Sequence, residues 1–317
     1  MLSRTADNLY WLARYLERAE TMARLCEVGT RMQLMPDAAE GYRSEWESIL
    51  QASGMAEGFD RKYKDADERS LVTYLFFDRE NPSSVACCLE NARENARIVR
   101  TAITSPVWDA LNVAYQEMRG FQRQARSELD VTELTEWTSR HTALVQGAMI
   151  GTMLRNDGHD FLNLGYSLER ADNTARFLDV KYYVLLPDAG YVGSGLDNYQ
   201  WTVVLRATQM HRSFHWAYGG DVTASKILDM LILNPQCPRS LLACVQDAVD
   251  HLDRLGRGYK RSTEAQSFAR GLLAELMETR VRDIFDEGVH EFLTRFKEDV
   301  AKLGGLVHQS YLRGVAT

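Results

Sequence analysis

Glutamate and arginine stand side by side in LERAETMARL (16–25) and again in LERADNTARF (168–177), 152 positions further along the chain. Six of the ten positions are identical: Leu16/Leu168, Glu17/Glu169, Arg18/Arg170, Ala19/Ala171, Ala23/Ala175 and Arg24/Arg176. A seventh, Glu20/Asp172, keeps its charge. Helices that resemble one another by chance keep the apolar period and scramble the polar letters, whereas here the polar letters are kept. On a helix, Glu20 and Arg24 lie four apart with the acid first, the better orientation for an ion pair, and Asp172 and Arg176 repeat it. Glu17 and Arg24 are two turns apart on nearly one face, so Arg24 can meet both carboxylates. Ala19 and Ala23 make a small-residue stripe that lets another helix approach, while Arg18 points elsewhere.

Two chemistries suit these residues. One is a semi-buried Glu–Arg network that fixes how equivalent helices pack, since buried pairs specify geometry more reliably than they stabilise. The other is a charged cleft in which Arg18/Arg170 or Arg24/Arg176 grip a carboxylate or phosphate and the glutamates hold them. A related pattern in LENARENAR (89–97) weighs toward the structural role.

Other candidate chemistry is thinner. His211 and His215 stand four apart, as helical metal ligands do, but Arg212 occupies the place where a metalloprotease motif needs glutamate. Glu287 and His290 form a single ExxH, and a di-iron bundle needs two. GYVGSG lacks the lysine and hydroxyl ending of a phosphate-binding loop. Cys87-Cys88 has no recognisable histidine partner nearby. Neither metal nor cofactor is expected.

The elements that must position the two segments read as helices throughout. Ser3 or Thr5 is the expected cap of the first, whose Leu9, Leu12, Leu16, Ala19, Ala23 and Cys26 recur at steps of three and four as far as about Arg31. EGYRSEWESILQAS follows, then a glycine-rich charged stretch (54–66) that reads as surface loop. Asn81-Pro82, Ser105-Pro106 and Asn234-Pro235 read as helix starts. LTEWTSRHTALVQGAMIGTML is long and apolar enough to be central. PDAGYVGSGLD (187–197) reads as linker, and two long helices are expected in 262–315. No alternating strand is visible.

Spacing extends the repeat. Glu17 to Asn81 is 64 residues and Glu169 to Asn234 is 65, with Trp46 and Trp201 opening a helix in each interval. The expectation is an all-α, internally duplicated helical bundle with pseudo-twofold related halves, 1–156 and 157–317, as two units or one intertwined domain.

The chain has 317 residues, 45% apolar and 26% charged, a globular balance, and only 6 prolines, which favours long helices. A net charge of −7 and no basic run argue against nucleic acid. No apolar run is long enough for a membrane span and the N-terminus lacks a signal-peptide core. Five cysteines without zinc spacing suit reduced thiols in a cytoplasm.

LERAE and LERAD, the N-terminal MLSRTADNLYWLARYLERAE, and NPSSVACCLENARENARIVR together resemble the bacterial alpha-E family, a helical domain of unknown function with an ER motif. The resemblance covers essentially the whole chain. It implies an all-helical fold and an association with a circularly permuted ATP-grasp protein, often with a transglutaminase-like peptidase, and so a system that ligates or modifies peptides. Glu17, Arg18, Glu169 and Arg170 carry over as the motif without an assigned role. The expected function is an accessory or substrate-binding partner of the ATP-grasp protein. The alternatives are a transferase or amide-forming enzyme with Glu17 or Glu169 as base, and a homodimeric or larger scaffold.

Overall fold

A computed structural model describes residues 1–33, 45–183 and 195–313, and these are helical, with no strand among them. Two long helices form the centre. Helix α1 (Ser3–Met32) buries Leu9, Leu12, Leu16, Ala19, Ala23 and Cys26, as the spacing predicts, and Ala13, Leu25 and Val28 besides. It is therefore covered around most of its circumference. Its cap is Leu2, whose carbonyl accepts from Thr5 and Ala6, and no side chain caps it; Ser3 and Thr5 lie inside the first turn.

Helix α8 (Asp157–Tyr183) is buried in the same way and packs along α1. Gly165 permits the closest approach, because a β-carbon there would strike the Tyr10 carbonyl.

Around this pair, α5 (Val85–Ile98) packs on α1 and α12 (Leu241–Tyr259) on α8. The tryptophan-opened helices cross over. Helix α2 (Glu45–Ser53) lies mainly on α8, and α9 (Gly195–Ala207) touches α1 more extensively than α8. Trp46 fills the space above Gly29, where any side chain would collide with its ring. One continuous apolar cluster runs from Ala6 to Leu312.

Several local expectations are corrected. The Asn-Pro pairs make turns ahead of the caps and do not cap helices themselves. Asn81 Oδ1 accepts from Ser83 N (3.0 Å) and Asn234 Oδ1 from Gln236 N (2.8 Å), and the caps are Ser84 and Ser240, accepting from Cys87 and Ala243. Helix α6 (Ser105–Arg123) does carry a proline in its first turn, but its cap position is Thr104. The stretch 54–66 is not all loop: α3 (Ala56–Asp60) sets Phe59 into the core, stacked on Tyr63.

Helix α7 (Val131–Thr152) is peripheral rather than central, with Leu144 and Ile150 exposed. Apolar content alone does not say whether the residues share one face. Most of the expected linker, 187–194, lies outside the described residues, while Gly195–Asp197 already belong to α9. The run after Asp197 breaks at Gln209 (φ 57°), before α10 (His211–Tyr218). The last region holds three helices, α13 (Glu264–Glu278), α14 (Val281–Glu287) and α15 (Val289–Val307), because Gly288 at φ 102° turns the chain between the last two.

Candidate functional site

The Glu-Arg segments face one another across the α1–α8 contact, and their pairs are crossed. Arg18 of α1 donates to both oxygens of Glu169 on α8, Nε to Oε1 at 2.6 Å and Nη2 to Oε2 at 3.1 Å. Arg170 of α8 donates in return to Glu17 of α1, Nη2 to Oε2 at 2.8 Å. Each glutamate takes a second arginine. Arg14 Nε reaches Glu169 Oε2 at 2.6 Å, and Arg239, from the turn before α12, reaches Glu17 Oε1 at 2.9 Å. Adjacent helix positions diverge, so an adjacent Glu-Arg can pair with its counterpart on a facing helix but not with itself. Crossed pairing follows from that geometry.

Glu17 and Glu169 are 1% and 2% exposed. Burial alone would push both carboxyls up; the guanidinium pairs outweigh it. Arg170 and Arg239 hold Glu17 down at about 2, and Arg14 and Arg18 hold Glu169 below the usual carboxylate range. Both are therefore buried anions with every oxygen engaged. Held as anions by guanidinium groups, such carboxylates are poor proton acceptors.

The outer pair of the motif does a second job. Arg24 pairs with Glu20 and donates from Nη1 to the carbonyl of Ala207 (3.0 Å), the last residue of α9. Arg176 pairs with Asp172 (Nε to Oδ2, 2.7 Å) and donates from Nη1 to the carbonyl of Ser53 (3.0 Å), the last residue of α2. Each arginine thus satisfies an end carbonyl of a helix contributed by the other stretch of chain, where a cation also favours the negative end of the helix dipole. The spacing predicts that Arg24 can meet both Glu17 and Glu20. It pairs with Glu20 alone, because Arg170 and Arg239 occupy the oxygens of Glu17.

All eight residues singled out from the sequence come together here: Glu17, Arg18, Glu20, Arg24, Glu169, Arg170, Asp172 and Arg176. Arg14 and Arg239 escaped the reading. Arg14 carried a signal, one turn before Arg18 on the same face; Arg239, distant in sequence, carried none. The third Glu-Arg-like segment behaves differently. Glu90 pairs with Arg79, and Arg97 with Glu94, both on the exposed face of α5, while Ala92 and Ala96 are buried.

The other candidates disperse. Glu287 pairs with Arg295, while His290 turns to Asp179. His211 and His215 stack edge to face on α10. All five cysteines are buried and unpaired, with burial pushing Cys244 up to about 12 and Cys26 and Cys88 higher still. Among the described residues no cluster of three metal-ligating side chains occurs, and no helix is long and apolar enough to cross a membrane.

Uncharacterized proteins of Mycobacterium bovis and Mycobacterium tuberculosis are 23% identical to the chain over 334 residues, covering 99% of it and 36% of their own length. The chain therefore spans about a third of these curated relatives. No solved structure matches it. The family model for Alpha-E, described as a predicted alpha-helical domain with a conserved ER motif, matches residues 1–312, and with its Glu-Arg pairs clasped across two central helices the chain belongs to that family.

Proposed function

We propose that the chain is a non-catalytic helical module, an accessory or substrate-binding partner of an ATP-grasp peptide ligase, whose Glu-Arg motif is the clasp that holds it together. The crossed Glu17–Arg170 and Glu169–Arg18 pairs carry this reading, because they commit the motif's carboxylates to internal arginines. The resemblance supplies the ATP-grasp partner. The length of the mycobacterial relatives supports it, since there the matching segment is joined to roughly twice as much further polypeptide. In this reading the partner is met in trans or in cis. Five unpaired thiols support a reducing, cytoplasmic setting.

In the same reading the chain is a duplication whose halves, 1–156 and 157–317, form one intertwined domain about a pseudo-twofold axis. The reciprocal clasp, the exchanged helices α2 and α9, and the matched caps Ser84 and Ser240 support this. A stand-alone transferase using Glu17 or Glu169 as base would need a carboxyl raised by burial, and both are lowered.

The test is co-purification with a circularly permuted ATP-grasp protein from the same organism, followed by ATP turnover with and without this chain. Stable binding with altered turnover supports the accessory role. Failure of both overturns it, and a native dimer in light scattering would then favour the scaffold. Arg18→Ala with Arg170→Ala, where the protein still folds, should weaken partner binding if the clasp shapes the interface.

A further inference from the structure

Away from the clasp, a cavity of about 380 Å³ opens where the C-terminal end of α8 meets α9, α14 and the first turn of α15. Its floor is apolar: Leu178, Leu293 and Trp201 are all buried. Two half-exposed aromatics, Tyr182 and Phe285, form its rim. The polar groups around it fall into two sets.

The cations are already matched. Lys181 Nζ lies 3.0 Å from Asp197, and Lys297 Nζ lies 2.7 Å from the fully buried Asp179. Two other polar groups are not. His290 uses Nδ1 to donate to Asp179 at 2.6 Å, and the ring of Tyr182 stacks on it at 3.9 Å. Among the described residues neither His290 Nε2 nor the adjacent Glu291 carboxylate has a hydrogen-bond or ion-pair partner. Glu291 stands in the first turn of α15.

We propose that this cavity is a binding site for a primary amine carried on an apolar or aromatic body. The ammonium needs negative charge, which the Glu291 carboxylate on the cavity wall offers. Its carbon frame needs the Leu178–Trp201–Leu293 floor, and Tyr182 and Phe285 present π faces that favour a cation. Among the described residues around the cavity no unmatched cation offsets Glu291 for an anionic ligand, so the charge pattern selects amine over acid. The proposal is independent of the ATP-grasp reading: it concerns a different part of the molecule and requires no partner.

The experiment is titration calorimetry of the purified full chain with phenethylamine, phenylacetate and phenethyl alcohol. Phenethylamine should bind saturably, and the acid should not. Glu291→Gln, an exposed and shape-preserving change, should weaken the amine about five- to tenfold, roughly 1 kcal/mol, and leave the circular dichroism spectrum unchanged. Phe285→Ala, also at the surface, should weaken amine and alcohol alike. Absence of saturable amine binding would overturn the proposal. So would equal affinity for acid and amine, or an undiminished amine affinity in Glu291→Gln.

Discussion

Glutamine at position 17 is the sharpest probe of the clasp, because it keeps the shape of the side chain and deletes its charge. Glu17 titrates at about 2 in the folded protein against an ordinary value of 4.5. That difference links roughly 3 kcal/mol of stability to the ionised carboxylate. The sign follows from the depressed value. The stabilisation is fully present above pH 4.5, where the unfolded chain is also ionised, and it fades as pH falls toward 2, because the unfolded chain takes up the proton first. Glu17→Gln should therefore lower the unfolding free energy by about 3 kcal/mol at pH 7. At pH 3.5 the unfolded glutamate is mostly protonated, and the gap between wild type and variant should shrink by about 1 kcal/mol. Urea denaturation followed by circular dichroism at several pH values between 7 and 3.5, with both proteins run in parallel, measures that gap. A loss below about 1 kcal/mol at pH 7, or a gap that does not narrow on acidification, would refute the reasoning. Either result would mean that the arginines hold Glu17 far less tightly than their distances imply.

Three further outcomes are expected. Replacing the whole Glu17 cluster with apolar residues of similar size (Glu17→Leu, Arg170→Met and Arg239→Met together) should cost less than Glu17→Leu alone, since the single change strands two buried guanidinium groups; chemical denaturation of both variants decides it. Gly165→Ala should lower the melting temperature, by about 1–3 kcal/mol in stability terms, through collision with the Tyr10 carbonyl. Gly147→Ala, in open space on α7, should raise stability by about 0.5–1 kcal/mol, so equal effects at both glycines would refute the close α1–α8 approach. A thiol reagent such as dithionitrobenzoate should react with hardly any of the five cysteines in native protein and with all five in denaturant, because each thiol is buried; rapid native reaction at Cys244 would contradict its environment.

The sequence by itself determined the helical class, the course of α1, and the identity of the eight charged residues, because helical periodicity and i,i+4 charge pairing are local properties written in consecutive letters. The same locality explains where it fell short. Ser3, Thr5 and the Asn-Pro pairs are plausible caps by type, but which residue caps a helix depends on where the backbone turns, and Leu2, Ser84 and Ser240 took those places. The apolar run of α7 looked central, and its apolar residues turned out to be spread over two faces, one of them outward. Above all, Glu17 and Arg18 are neighbours that cannot pair with each other, so only the packing of α1 on α8 decided that they reach Arg170 and Glu169. Arg239 joined them from 222 residues away for the same reason. Charge at each position is a property of the chain; which opposite charge it meets, and whether water is excluded from the pair, is a property of the tertiary structure alone.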